Sequence, residues 1–237
     1  MKTTIIIPNY NGLSFMEPCF EALEKQTTKD FKILVVDNGS TDGSVEWLKE
    51  REIPSIFLPE NTGFSGAVNV GIRAADTPYV ILLNNDTKVA PHYVEALERA
   101  TDRSEKIFSV SSKMIQMYHP DLMDDAGDMY SVLGWAFQRG VGRPEKLYKK
   151  SCRVFTACAG AAIYRREVFE TIGYFDEMHF AYLEDIDVGY RARIFGYENW
   201  YVPAALVYHV GSGTSGSRYN QFKTRYSSRN NIYLIYK

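Results

Sequence analysis

The chain has 237 residues, of which 45% are hydrophobic and 24% charged, a composition typical of a globular domain with a substantial core. Its net charge of -2 argues against a broad nucleic-acid-binding surface, so no nucleic-acid partner is expected. The 3 cysteines form neither a disulfide framework nor a C-x-x-C metal pair, which indicates a reducing compartment. The N-terminus lacks a secretory pattern, and no apolar run reaches the roughly 20 residues of a transmembrane helix.

The first third of the chain alternates predicted strands with predicted helices. Apolar runs predict strands at residues 4–7, 31–36, 55–58 and 79–84. Segments with helical periodicity separate them, and strands joined by helices of this length form right-handed parallel crossovers. We therefore expect a doubly wound, mainly parallel α/β sheet. The loops that follow these strands should meet at one sheet edge, where ligands bind in such folds.

Polar residues stand where two of these strands end. Asn84, Asn85 and Asp86 follow the run 79–84, and Asp86 could bind Mg²⁺ or Mn²⁺ and so help neutralise phosphate charge. The same three residues also favour a simple turn. Asp37, at the end of the second strand, could bind a ribose hydroxyl or a base N–H. From these residues alone, both the turn and the ligand site stay open.

The segment Asn61–Gly66 contains two glycines but matches neither established glycine-rich phosphate motif, so helix entry and close packing explain it better. A helix is predicted over Tyr93–Arg103, followed by a strand at residues 107–111. Residues 113–150 then lose clear periodicity. This aromatic and methionine-containing stretch predicts either a mobile loop that faces a substrate or strands of a mixed sheet.

The last third contains a second group of candidate residues. Small residues around Gly160 would allow the backbone to approach a bulky ligand closely. Glu184 and Asp185 begin a predicted helix, where acids either favour the helix dipole or, behind an aromatic pair, serve as a partly desolvated general base. His209 follows a strand interrupted by Pro203 and precedes a glycine–serine loop, which favours a functional role.

Several of these segments together resemble glycosyltransferase family 2, the inverting enzymes with the GT-A fold, and most closely its bacterial rhamnosyltransferase-like branch. The resemblance rests on Ile6–Gly12, Val35–Asp42, Asn61-x-Gly63-Phe64-x-Gly66, Leu82–Asp86 and Glu184-Asp185-x-Asp187. Each motif is weak alone, but they occur in the right order over nearly the whole chain and are highly specific together.

The resemblance implies a GT-A fold, with a Rossmann-like, doubly wound, mainly parallel sheet and a smaller mixed C-terminal sheet. It implies one catalytic domain over residues 1–217, with a nucleotide-binding half (1–112) and an acceptor-binding half (113–217). Residues 218–237 would form a basic, aromatic helix that either contacts an anionic membrane surface or packs on the domain. We expect the natural chain to continue beyond residue 237.

The implied activity is sugar transfer from a nucleotide-sugar donor to a saccharide or lipid-linked saccharide in cell-surface polysaccharide synthesis. A cytoplasmic location, with peripheral contact to the inner membrane face as an option, is expected. Asp185 would be the catalytic base with support from Glu184, and Asp86 with His209 would hold Mg²⁺ or Mn²⁺. The implied donor-binding residues are Pro8, Asn9, Tyr10, Asp37, Asn61, Gly63, Gly66, Asn84, Asn85, Asp86 and Gly160.

Two other functions are weighed against this one. Asn84 stands where the family has its first metal-binding acid, so strict metal dependence is open, and a catalytically degenerate nucleotide-sugar-binding domain is the alternative. A nucleotidyltransferase is disfavoured, because Pro8–Gly12 contains no basic residue to bind phosphate after the first strand. The sugar, the base and the oligomeric state are not determined by these motifs.

Overall fold

A computed structural model describes residues 1–211 and 220–237. Its strands are β1 (Thr3–Asn9), β2 (Phe31–Asp37), β3 (Ser55–Phe57), β4 (Tyr79–Leu83), β5 (Thr87–Val89), β6 (Ile107–Gln116), β7 (His119–Asp125), β8 (Asp128–Tyr130), β9 (Ala136–Gln138), β10 (Cys152–Val154), β11 (Ala161–Arg165) and β12 (Glu198–His209). Its α-helices are α1 (Leu13–Glu24), α2 (Ser44–Glu50), α3 (Gly63–Ala74), α4 (Tyr93–Thr101), α5 (Val168–Ile172), α6 (Glu184–Ile194) and α7 (Gln221–Tyr236).

One sheet runs through the molecule in the order β10-β12-β6-β11-β4-β1-β2-β3, with β5 joined to β12 and β7 to β6. Strands β3, β2, β1 and β4 are parallel, as are β6 and β12, whereas β11 lies antiparallel between β4 and β6. The predicted mainly parallel α/β sheet is therefore confirmed. A small second sheet is the antiparallel pair β8–β9.

The central strands are covered on both faces, which explains why their sequences are apolar without alternation. In β1, Ile5 and Ile7 belong to one core cluster with residues of α1 and α4, and Ile6 belongs to another with residues of α3, α5 and α6. All three side chains are fully buried. Successive side chains of a strand point to opposite faces, so the core lies in two layers around one sheet.

The carboxyl ends of the parallel strands place the polar motifs along one edge. β1 ends at Asn9 and β2 at Asp37, which are paired neighbours in the register, and β4 ends directly before Asn84. Between β3 and β4 the chain enters α3 at Gly63, whose φ of +77° suits glycine. The edge predicted to carry the site is thus assembled by short strand–turn–helix units.

Two segments differ from the simplest sequence interpretation. Residues 113–150 contribute the end of β6 and strands β7, β8 and β9, so the alternative of additional strands describes the part of this stretch that ends at Gln138. The strand predicted to break at Pro203 continues through it as β12, because the pairing with β6 shifts register between Val202 and Leu206. At such an irregularity the missing N–H of proline costs no regular ladder bond.

Candidate active site

A cavity of about 930 Å³ opens at this edge of the sheet. Most of the residues singled out in the sequence contribute to its walls, namely Pro8, Asn9, Tyr10, Asn61, Gly63, Asn84, Asn85, Asp86, Gly160, Glu184, Asp185 and His209. Asp37 and Gly66 do not line it. Residues far apart in the chain therefore meet in one concave space, as expected of a ligand site.

Asp37 lies behind the cavity wall and organises the turn after β1. Its side chain is fully buried, and its Oδ2 accepts a hydrogen bond from the Asn9 side chain at 2.8 Å. Asn9 in turn accepts a bond from the amide of Asn85 at 2.7 Å. This chain of bonds fixes the amide groups of Asn9 and Asn85 at the ends of β1 and β4.

The entry of α3 is held by a second set of amide contacts. Asn38 accepts a bond from the backbone N–H of Thr62 at 2.9 Å and donates to the carbonyl of Gly63 at 3.0 Å. A Cβ at Gly63 would lie 2.4 Å from the carbonyl oxygen of Phe180, and one at Gly66 would lie 2.5 Å from the Thr62 hydroxyl. Both glycines thus serve close packing, and Gly63 also borders the cavity.

Asp86 and His209, predicted as metal ligands, lie in direct contact on one wall of the cavity. Asp86 Oδ1 lies 3.2 Å from His209 Nε2, and the other ring nitrogen, Nδ1, lies 2.7 Å from Asp124 Oδ2. Burial lowers the pKa of His209, but the hydrogen bonds to Asp124 and Asp86 outweigh burial and raise it to about 10. The histidine is a bridge between two carboxylates, one of which, Asp124, had no signal in the sequence.

Asp185, the predicted base, stands at the start of α6 on another side of the same cavity. Its Oδ2 accepts a hydrogen bond from the N–H of Ala159 at 3.2 Å, and its Oδ1 accepts one from the N–H of Ile186 at 2.9 Å. Burial raises the pKa of Asp185, although these backbone bonds and one with Asp128 oppose the increase. The carboxyl is oriented by the backbone and tuned toward basicity.

Glu184 is more deeply buried than Asp185. Burial, and then repulsion from Asp185, raise the pKa of Glu184 well above its usual range, which favours the protonated form. Its Oε2 atom has no hydrogen-bond partner among the described residues. Glu184 therefore contributes a carboxyl next to Asp185 that does not add a second full charge.

Two further acids, Asp125 and Asp128, lie behind Asp185. The Asp128 carboxyl lies close enough to Asp125 and Asp185 to influence the pKa values of both. Carboxyl groups can bond to each other only by sharing a proton, because an ionised carboxylate has no donor. Burial raises the pKa of Asp125 to about 7 and that of Asp128 well above its usual range. These acids come from the stretch whose structure the sequence left open.

The loop before Asp185 has a strained backbone. Phe180, Tyr182 and Leu183 have φ values of 63°, 70° and 67°, a left-handed conformation that costs a non-glycine residue roughly 1–2 kcal/mol. The side-chain amide of Asn230 in α7 donates to the carbonyls of His179, Ala181 and Tyr182, at 3.0, 2.9 and 2.6 Å. Asn230 is fully buried. One side chain of α7 thus holds most of this loop.

Other residues of α7 tie the helix to the same region. The Tyr226 ring stacks on Phe180 at a centroid distance of 5.2 Å. Lys237 contacts Asp176 at 2.7 Å and Asp187 at 2.9 Å. Burial opposes the ionisation of Asp176, but bonds from Lys237, the Met178 N–H and Tyr233 outweigh it and lower its pKa to about 2. Of the two placements expected for the C-terminal helix, packing on the domain describes these contacts.

Comparison with known proteins identifies the family. A family model described as "Glycosyl transferase family 2" matches residues 4–173, more than half of the chain. The chain belongs to glycosyl transferase family 2. It is therefore a glycosyltransferase.

A curated relative, the N-acetylglucosaminyl-diphospho-decaprenol L-rhamnosyltransferase of Mycobacterium tuberculosis, is 29% identical over 90% of this chain and 77% of its own length. The crystal structure of GalNAc-T7 with UDP, GalNAc and Mn²⁺ has a TM-score of 0.74 at 17% identity over 88% of this chain. The mannosyltransferase PcManGT of Pyrobaculum calidifontis, in complex with GDP-Man and Mn²⁺, has a TM-score of 0.65 at 16% identity, also over 88%. This chain spans 44% and 56% of those two structures, which confirm the GT-A fold.

The side chains of this family 2 glycosyltransferase fit a divalent cation. Asp86 and His209 offer one oxygen and one nitrogen on the cavity wall, and a carboxylate on the far nitrogen of the histidine is the usual support for a metal-binding imidazole. Oxygen atoms of a nucleoside diphosphate and of water can complete such a coordination shell. The family match ends at residue 173, so Asp185, His209 and α7 lie outside the matched region. Residues 212–219, which include most of the predicted glycine–serine loop after His209, lie outside the described residues.

Proposed function

We propose that this glycosyltransferase is an inverting enzyme that transfers a sugar from a nucleotide-sugar donor to a saccharide or lipid-linked saccharide in cell-surface polysaccharide synthesis. The observation that carries the proposal is the shared cavity of Asp185 and the Asn84–Asp86 segment. A buried carboxyl that is oriented by backbone N–H groups faces a segment suited to phosphate and cation binding. Displacement at a sugar carbon needs these two elements.

The donor would occupy the side of the cavity formed by the ends of β1, β2 and β4. Asn9, Tyr10 and Pro8 would contact the nucleoside, and Asp37 would act on it by orienting Asn9. Asn84, Asn85 and Asp86 would lie beside the diphosphate, together with Asn61 and Gly63 at the start of α3. Gly160 would border the donor sugar, because its neighbours in the wall are Asn84 and Met114.

Asp86 and His209 would hold the Mg²⁺ or Mn²⁺ ion, which, when bound, stabilises the negative charge that develops on a departing diphosphate. Asp124 would keep the His209 ring oriented with Nε2 toward the cavity. Since one carboxylate rather than two stands in this motif, the affinity for the cation should depend strongly on the bound diphosphate.

Asp185 would take the proton from an acceptor hydroxyl as its oxygen attacks the anomeric carbon. The new carbon–oxygen bond forms on one face of the sugar, while the bond to the diphosphate oxygen breaks on the other. The electron pair of the broken bond leaves with the nucleoside diphosphate, and the anomeric configuration inverts. Protonated Glu184 would let Asp185 ionise without a second negative charge beside it.

The acceptor class is supported by a relative rather than by contacts in this cavity. The mycobacterial relative is named for a diphospho-decaprenol acceptor. We extend only the class, a saccharide with or without a lipid carrier, to this chain. A cytoplasmic enzyme that works at the inner face of the membrane follows from that class. Among the described residues, none of the helices has the length and apolarity needed to cross a bilayer.

The decisive experiment measures binding and slow hydrolysis of UDP-, dTDP- and GDP-sugars, with Mn²⁺ or Mg²⁺ and with a chelator. Cation-dependent hydrolysis of one donor would support transfer and identify the sugar. Binding without hydrolysis or transfer to any offered acceptor would favour the degenerate nucleotide-sugar-binding domain, for which Asn84 in place of an acid is the favouring observation. Failure to bind every donor would contradict the proposal.

A further inference from the structure

The turn between β8 and β9 carries apolar side chains at its apex. Gly134 N–H donates to Ser131 O at 3.0 Å, and Ser131 N–H donates to Trp135 O at 2.8 Å, so the turn is closed by hydrogen bonds. Turns of this kind usually present glycine, asparagine, aspartate or serine to water. Here Val132 and Leu133 occupy the apex, with relative exposures of 104% and 77%, and Trp135 follows at 61%. Such values mean that the apex projects into solvent.

The outer face of α7 extends this apolar surface. Ile232, Ile235 and Tyr236 are spaced as neighbours on one side of a helix, and all three are exposed. The apex rests against this side, because a Cβ at Gly134 would lie 2.7 Å from Ile235 Cδ1. The backbone N–H of Ala136 also donates to Asn231 at 3.3 Å. We call the six exposed residues, Val132, Leu133, Trp135, Ile232, Ile235 and Tyr236, the apical patch.

The apical patch adjoins the wall of the active-site cavity. Ala136, Phe137 and Gln138 of β9 line the cavity, and so does Asn231 of α7. The hairpin and the helix therefore contribute one surface to the cavity and another to the apical patch. A binding partner on the patch would be held next to the side of the cavity that contains α7.

The helix that forms half of the patch is positively charged, although one of its cations, Lys237, is paired with Asp176 and Asp187. Residues 220–237 contain Lys223, Arg225, Arg229 and Lys237 and no aspartate or glutamate. Cations beside exposed aliphatic residues, tryptophan and tyrosine form the combination that binds the headgroup region of anionic bilayers. A narrow projecting turn can enter a fluid headgroup layer, whereas a flat protein partner would leave much of its surface uncovered.

We propose that the apical patch docks this protein on an anionic phospholipid bilayer, with Leu133 and Trp135 entering the headgroup region. Docking in this orientation directs the cavity mouth toward the membrane surface. It differs from the sequence interpretation, in which the aromatic residues of the C-terminal helix meet the membrane, because the β8–β9 turn makes the main contact and Tyr236 is the aromatic residue of α7 in the patch. In the structure, Tyr226 and Phe222 pack with Phe180, and Tyr233 packs with His179.

The test is co-sedimentation of the purified protein with vesicles of phosphatidylglycerol and phosphatidylcholine, without donor or acceptor. Because no turnover is measured, its failure is distinguishable from failure of the proposed function. The wild type should bind these vesicles and should bind pure phosphatidylcholine more weakly. The double variant Leu133→Ser with Trp135→Ser should lose about tenfold or more in partition coefficient, since two apolar side chains no longer leave water.

Matched controls separate the patch from general surface hydrophobicity. Ile194→Ser with Phe195→Ser removes two equally exposed apolar side chains near Arg165, at the opposite edge of the sheet, and should change binding less than twofold. Trp135→Phe should keep most of the binding but lose the fluorescence quenching that brominated lipids cause in the wild type. Equal binding by the wild type and the Leu133/Trp135 variant would overturn the proposal. So would a dimer that the variant abolishes, because a second copy would then be the occupant.

Discussion

The two sides of the active-site cavity are built on different principles. On the donor side, Asn9, Asp37 and Asn85 stand at strand ends and are fixed by hydrogen bonds between adjacent turns. On the base side, Asp185 accepts a hydrogen bond from the backbone just before β11 and lies against the buried acids between β7 and β8. The loop that precedes Asp185 is held by α7. The donor side is a property of the sheet, whereas the base side is a property of contacts between distant segments.

This difference separates binding from chemistry. A change on the base side should alter transfer while donor binding survives, because the amide network at the strand ends contains no residue from α6 or α7. A change at the cation ligands should do the opposite and weaken donor binding first. The predictions below use that separation, beginning with the largest expected effect.

The strongest separation is expected from Asp185→Asn. Loss of the base should lower kcat by about 10³-fold, within the range of general base catalysis, while the dissociation constant of the nucleoside diphosphate changes less than about twofold. Turnover and isothermal titration measure the two quantities. Asp121→Asn, an exposed acid on β7, is the control. Turnover near that of the wild type would remove Asp185 from the role of base.

Asp86→Ala should weaken cation-dependent binding of a nucleoside diphosphate by about 10–100-fold, and Asp124→Asn by about tenfold through the orientation of His209. The wild type and both variants should converge when a chelator removes the cation. Binding is measured with and without Mn²⁺. If the three proteins still differ in the presence of the chelator, the substituted groups act on the donor directly and not through a cation.

Asn230→Ala should lower kcat about tenfold with little effect on donor affinity, because three loop carbonyls lose their shared donor next to Asp185. Hydrogen exchange at residues 180–187 should increase. Asn230→Asp has nearly the same shape but replaces the donating NH2 group with a carboxylate oxygen, which can only accept, so it should not restore activity. Ser228→Ala, exposed on the same helix, is the control. Unchanged exchange in Asn230→Ala would show that the loop holds its shape without the clamp.

The smallest effect is expected for Asp176→Asn, which should reduce the free energy of unfolding at pH 7 by about 1 kcal/mol, a value discounted for solvent screening. The pKa of Asp176 in the folded protein is lowered to about 2, so its contribution is present above the unfolded value near 4. The contribution disappears as pH falls from about 4 to 2. Urea unfolding of the wild type and the variant at pH 7 and pH 2.5 measures this contribution. If the two proteins differ by the same free energy of unfolding at both pH values, the assignment is contradicted.

The sequence predicted that the residues of the donor side would meet at one sheet edge, because Asn9, Asp37 and Asn84 end apolar runs in recognisable turns. Asn84–Asp86 and His209 were found in this way, although the 3.2 Å contact between Asp86 and His209 needed the sheet topology. Asp124, Asp125 and Asp128 were missed. They lie on short strands and turns without periodicity, and only burial against Asp185 distinguishes them from surface acids.

The packing of the helix at the end of the described chain could not be predicted from the sequence either. Its basic and aromatic residues suggested either a membrane surface or packing on the domain, and composition cannot choose between these. The choice depends on Asn230 and Tyr226, whose partners lie about 50 residues earlier in the chain. Positive φ values at a phenylalanine, a tyrosine and a leucine of one loop also have no sequence signature, since glycine would be the expected residue there.

The clamp by Asn230 has a consequence for how such enzymes can be recombined. The strand-end loops of the donor side bond to one another through Asn9, Asp37 and Asn85, so a recombined enzyme should take them as a set from one relative. Loop 179–183 and α7 must also come from the same relative. The loop contains no glycine that could relax its backbone, and the NH2 group of Asn230 donates to carbonyls of this loop. A chimera that takes this loop from one relative and α7 from another should fold its sheet and still leave its base misplaced.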